Sequence, residues 1–179
     1  MPEDRTNAPE TREEAFARAV ATNRAKLLRY ALRRLQDHDA VEDVVSETLA
    51  VAWRRWSDWP GPEQELFWLF GIERLVVANA WRSARRRYRL QERLNAEQHV
   101  ATTGPRFDAS DVRAVIDALE AMSEDDQEAV RLAYWEELSF REIGVALGCS
   151  ENAAEIRVRR ARNAIRGRLH GHSEQLGLV

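Results

Sequence analysis

LSFREIGVALGCSENAAEIRVRRARNAIRGRL, residues 138–169, decides how the C-terminal half of the chain folds. Ser139 and Glu142 stand three apart before an apolar run, the spacing at which each side chain can bond the other's backbone N–H and start a helix. That first helix is short. Ile143, Leu147 and Cys149 supply its apolar contacts, Gly144 is small enough for a second helix to cross closely, and Gly148 permits the turn. Ser150 can N-cap the second helix, along which Ala154, Val158, Ala161 and Ile165 fall on one stripe. The pattern predicts a helix-turn-helix. It leaves Glu151, Asn152, Glu155, Arg157, Arg159, Arg160 and Arg162 on the other faces.

Residues near the start of such a helix meet base edges, and cations farther along meet phosphates. Glu151, Asn152 and Glu155 are therefore the base-reading candidates, since a carboxylate accepts from the cytosine amine and an asparagine bridges adenine. The arginines act as backbone clamps. The competing reading is a plain helical hairpin with a basic, solvated surface.

Upstream the spacing is also helical. Thr11 with Glu14 makes another capping box, and Phe16, Val20, Leu27, Ala31 and Leu35 recur at helical intervals through about residue 36. Val41, Val45, Leu49, Ala52 and Trp56 repeat the pattern, and SDWPGP at 57–62 breaks it with two prolines and a glycine. A third helix, from about 63 to 89, turns Leu66, Leu69, Phe70, Val76 and Val77 inward and ends among arginines. Trp53, Phe67, Trp68 and Phe70 read as core rings. Trp59, in the loop, and Trp81, beside arginines, are candidates to stack on unpaired bases. Residues 12–90 form one helical domain, 91–110 a flexible linker around Gly104-Pro105, and 111–170 a second domain, in which Ser123 caps a helix. The fold class is all-α, in two small helical domains.

Composition narrows the function. The 179 residues are 44% hydrophobic, enough for a packed core. A net charge of −3 does not suit a simple nucleic-acid coat, but the charges are segregated. Residues 81–90 hold five arginines and no acid, and 157–168 hold six and no acid. Acids gather in DHDAVEDVVSE at 37–47 and SEDDQE at 123–128. Two basic DNA-facing surfaces with separate acidic faces for protein partners fit that division. Cys149, the one cysteine, suits a reducing cytoplasm and excludes an internal disulfide. No apolar run could cross a bilayer, and the polar start lacks a signal peptide's apolar core. His38, His99, His170 and His172 have no partner cysteines at metal spacing. No nucleophile–base set, P-loop or metal motif stands out, so neither catalysis nor a cofactor is expected.

DAVEDVVSETLAVAWRRW, then WLFGIERLVVANAWRSARRR, a linker, and LSFREIGVALG with its arginine-rich helix resemble an extracytoplasmic-function sigma factor over about residues 12–169. The resemblance implies a factor that binds core RNA polymerase and directs initiation by recognising −35 duplex and melted −10 DNA. It implies that Glu42, Asp43 and Glu47 face polymerase. It implies that Asp58 and Trp59 in the loop, with Asn79, Trp81, Arg82, Arg85 and Arg86 on the third helix, contact the −10 element. It implies that Ser150, Glu151, Asn152, Ala153, Glu155, Arg157, Arg159 and Arg160 contact the −35 element, and that an anti-sigma factor is a further partner. The chain departs from the family at Glu73-Arg74-Leu75, where Ala-Arg-Asn is common, and at Asn152-Ala153-Ala154, where a Gly-Thr-Val-like start is usual. Two other classes compete: a dimeric helix-turn-helix repressor or activator that never binds polymerase, and an adaptor that only docks its acidic helix on a protein.

Overall fold

The computed structural model describes residues 10–35, 37–94, 118–119 and 121–175, with the side chains of 85–94 and 169–175 left aside. Every described element is helical. The chain divides into two compact units, Met1–Ala80 and Trp81–Val179. Residues 91–94, expected to open the linker, continue a helix that ends at Leu94; the rest of the expected linker and the start of the second domain, 95–117, lie outside the described residues.

In the first unit α1 spans Arg12–Leu32, and its capping box is formed: the Thr11 N–H donates to Glu14 and the Glu14 N–H to Thr11 Oγ1. It ends earlier than the apolar spacing predicts, because the chain must turn before Asp37 in order to cap the next helix. That helix, α2, spans His38–Arg54, and a single 3₁₀ turn follows at Trp56–Asp58. Between it and α3, Glu65–Leu94, whose residues through Ala80 belong to this unit, the chain passes through Gly61 at φ 94°, a conformation that the lack of a Cβ permits. Leu27, Tyr30 and Ala31 of α1, Val41, Val45 and Ala52 of α2, and Leu69, Phe70 and Ile72 of α3 are buried. Tyr30 and Phe70 stack with ring centroids 4.9 Å apart. Next to Ala15 and Ala19, small enough to admit rings, Trp56 packs with Phe16, Trp59 and Trp68.

In the second unit α4 spans Glu124–Trp135, α5 Phe140–Leu147 and α6 Glu151–Gln175. Each cap foreseen at Ser123, Ser139 and Ser150 is made: Ser123 Oγ accepts from the Asp126 N–H, Ser139 and Glu142 close a capping box, and Ser150 Oγ accepts from the Ala153 N–H. Ala129, Val130 and Leu132 of α4, Ile143, Ala146 and Leu147 of α5, and Ala154, Val158 and Ala161 of α6 are buried.

The turn between α5 and α6 depends on both glycines. A Cβ on Gly144 would stand 2.8 Å from the Cys149 carbonyl oxygen and 3.4 Å from the Glu151 nitrogen, so only glycine lets the turn lie this close. Gly148 is left-handed at φ 65° and caps α5, its N–H donating to the Val145 carbonyl.

Candidate nucleic-acid interface

With Ala154, Val158 and Ala161 buried, the helical period fixes which residues of α6 face outward. Asn152, Ile156, Arg159 and Asn163 lie opposite that stripe and are exposed, as is Arg160 beside them. Ser150 and Glu151 are exposed at the start of the helix, while Ala153 and Glu155 are half-buried on its flanks. Glu155 accepts from Arg159 one turn on. An exposed pair of this spacing contributes only about 0.3–0.5 kcal/mol, so either side chain can be drawn off by a stronger partner.

Arg157 has a different setting. Asp126 on α4 is buried, and its two oxygens accept from two arginines of α6: Oδ1 from Arg157 at 3.3 Å and Oδ2 from Arg160 at 3.4 Å. Arg157 also lies 3.4 Å from Asp125. The SEDDQE run, legible in the sequence as a surface for partners, is thus partly turned inward, where it fastens α4 to α6. A buried carboxylate is tolerable only with such donors, because water no longer solvates it. Arg157 is committed to two acids before any phosphate arrives. Arg160, largely exposed, and Arg162, which no acid engages among the described residues, are the more available cations.

In the first unit the loop after α2 is held at both ends. Asp58 pairs with Arg55 at 3.1 Å. The Trp59 ring stacks on Trp56 with centroids 5.0 Å apart, and its Nε1–H donates to Glu65 at 3.0 Å. Glu65 is buried and accepts also from Asn23 Nδ2 at 2.7 Å. Trp59 is therefore half-buried with one face already covered, while Pro60, Pro62 and Glu63 stand exposed around Gly61. Farther along α3, Asn79, Trp81 and Arg82 are exposed, Trp81 by 49%. The helix carries Arg85 and Arg86, whose side chains are outside the described ones. Glu65 and Asn79, fourteen residues apart on one helix, are separated by about 20 Å along its axis.

The acids of α2 are exposed, Asp43 and Glu47 one turn apart. Glu42 is tied to Arg24 of α1 at 2.6 Å, whereas Glu47 only approaches Arg54 at 3.9 Å and no ion pair engages Asp43 among the described residues. Asp43 and Glu47 are thus more open to a cationic partner than Glu42. Two outward residues of α6, Ile156 and Asn163, went unremarked as site residues in the sequence reading. The stripe at 154, 158 and 161 was the signal that could have found them.

A short helix, a glycine-set turn and a capped, arginine-rich second helix define a helix-turn-helix DNA-binding protein, here with a second helical unit. The family described as "Sigma-70 region 2" matches residues 14–87, and "Sigma-70, region 4" matches 113–165. The chain is 31% identical over 159 residues to "ECF RNA polymerase sigma factor SigL" of Mycobacterium tuberculosis, covering 86% of this chain and 89% of that one. Among solved structures it is similar to CnrH in complex with the cytosolic domain of CnrY, with 25% identity, a TM-score of 0.57, and 89% of this chain and 90% of that one covered. A likeness of fold alone links it to the sigma factor RpoE in complex with the anti-sigma factor NepR from Bartonella quintana, at 24% identity and TM-score 0.52, covering 87% of this chain and 97% of that one. The chain belongs to the extracytoplasmic-function sigma factors of RNA polymerase. It is a promoter-recognising transcription initiation factor, and the dimeric repressor is not favoured. No helix among the described residues is long and apolar enough to cross a membrane.

Proposed function

We propose that α6 reads the −35 duplex, that the 57–64 loop and the outer part of α3 hold the melted −10 strand, and that the acidic face of α2 docks on core polymerase. The observation that carries this reading is the outward face of α6. Asn152, Arg159 and Arg160 stand together opposite a fully buried stripe, on a helix whose entry is fixed by Gly144 and Gly148. Asn152, and Glu155 once released from Arg159, are the base readers; Arg159 and Arg160 hold phosphates.

The first unit and the continuation of α3 past Ala80 supply the second grip. Its loop is fastened through Trp59 and Glu65, so a base captured at the exposed tip meets a surface already ordered. Trp59 serves as the floor of that tip, and Asp58, paired with Arg55, fixes its near side. Past the buried Glu65, Leu69 and Ile72, α3 emerges with Asn79 exposed, and the strand runs along this outer part. Trp81, Arg82, Arg85 and Arg86 continue that track with a ring for stacking and cations for phosphates. Neither grip needs to be strong, because binding to polymerase gives each an effective concentration for the other. The bubble is stabilised by binding the separated strand, without catalysis by this chain.

Asp43 and Glu47 make the polymerase contact, and Glu42 braces α2 against α1. The factor works in the cytoplasm with polymerase. An anti-sigma factor is a further partner, supported by the complex of RpoE with NepR, similar in fold. The reading is tested by permanganate footprinting of a selected promoter with purified core polymerase and no nucleotides. Thymines of the −10 element become reactive only when this chain is added, and Asp43→Arg with Glu47→Arg abolishes that reactivity. Full melting with the doubly reversed variant refutes the docking assignment.

A further inference from the structure

One side chain on the outward face of α6 does not match its surroundings. Ile156 is 47% exposed at the centre of that face, one turn beyond Asn152 and flanked by Arg159 and Arg160. A solitary exposed isoleucine elsewhere would need no account, since much of any protein surface is apolar. Here its place in the helix matters. The buried stripe runs through Ala154 and Val158, so residue 156 projects directly away from the core of the unit, toward whatever the helix meets. The neighbouring arginines hold the helix to phosphates on either side, which brings the middle of the face close to the floor of the groove. In the major groove the one apolar feature a base pair presents is the thymine C5-methyl group.

We propose that Ile156 is a specificity-determining residue that packs on a thymine methyl in the −35 element. The inference rests on the assignment of α6 to the −35 duplex and adds the base identity read at its centre. Asn152 offers hydrogen bonds at the start of the helix, and Ile156 adds a methyl-sized apolar contact one turn later. An exocyclic amine, carbonyl or ring-nitrogen edge at that spot would be desolvated against isoleucine with no partner, so the wrong base is disfavoured as well.

The test uses the holoenzyme, full-length chain with core polymerase, on a promoter it selects. Each thymine of the −35 element is replaced singly by uracil, which removes the methyl group and leaves every hydrogen-bonding edge unchanged. Wild-type holoenzyme is expected to lose about fourfold in promoter affinity at one such position, the worth of one buried methyl-sized group. Ile156→Ala holoenzyme is expected to bind the thymine template more weakly and to be indifferent to uracil at that same position. Both proteins should keep equal thermal stability, because the side chain lies outside the core. The inference is overturned if no thymine-to-uracil change matters to the wild type, or if Ile156→Ala keeps the full uracil penalty. A holoenzyme indifferent to the −35 sequence altogether would overturn the assignment of α6 and this inference with it; sequence-selective binding without a methyl effect overturns this inference alone.

Discussion

Replacing Asp126 by Asn keeps the shape of the side chain and removes the charge that Arg157 and Arg160 share. The Arg160 arm is largely exposed and contributes a few tenths of a kcal/mol, as surface pairs do. The Arg157 arm is about one-third exposed against a carboxylate only 7% exposed, so a charge-assisted bond there, discounted for screening, contributes about 1 kcal/mol. Asp126 also lies in the first turn of α4, where an anion gains about 0.3–1 kcal/mol from the helix dipole. The total is about 2 kcal/mol, a fall of about 4–8 °C in the unfolding midpoint of the full chain, followed by circular dichroism. The same change releases Arg160 and leaves Arg157 held by Asp125 alone, so the salt dependence of promoter binding should steepen by about 0.9 in log–log slope for each new phosphate contact. Asp125→Asn removes one exposed pair and should cost only a few tenths of a kcal/mol. An Asp126→Asn protein with unchanged midpoint and unchanged salt slope would refute the idea that this carboxylate fastens the reading helix.

Other perturbations address the turn, the loop and the first cap. Gly144→Ala forces a Cβ to within 2.8 Å of the Cys149 carbonyl and should destabilise the chain by about 1–3 kcal/mol while weakening −35 discrimination, measured by chemical denaturation and by competition between −35 sequences. Glu65→Gln replaces the buried acceptor of Trp59 and Asn23, and should shorten the lifetime of the open complex in heparin-challenge kinetics while leaving −35 selectivity unchanged. Glu14 is held below the ordinary carboxylate range by the Thr11 backbone N–H and then by the Thr11 hydroxyl. Its ionised form is therefore favoured in the folded chain, and the stability it adds is present above the ordinary carboxylate range and lost as pH falls through the depressed value. A pH series of thermal unfolding should show a shallower acid limb for Glu14→Gln than for the wild type.

What the sequence made legible was local. Caps at Thr11, Ser123, Ser139 and Ser150 follow from residues three apart, and Gly144 and Gly148 follow from stereochemistry that few other residues tolerate. Helical periodicity exposed the stripe Ala154, Val158 and Ala161, and with it the side of α6 that must face outward. The unforeseen parts join distant residues. Asp126 meets Arg157 31 positions away, and Glu65 meets Asn23 42 positions away, so no window of sequence contains both partners. For that reason Arg157 looked like any other cation of its run, and Trp59 looked freer than its stacking on Trp56 and bond to Glu65 leave it. Glu137, held at φ 56° before α5, also carried no turn signal, since its backbone is set by the link from α4 rather than by its own preference.

The proposed function has this chain confer promoter choice on RNA polymerase by holding two promoter segments at once. Run-off transcription with purified core polymerase tests it most directly, using templates intact or altered in the −35 or −10 element alone. Discrete transcripts are expected only when the chain is present, with strong loss on altering either element. Equal transcription with and without the chain, or transcription indifferent to the −10 element, would contradict it.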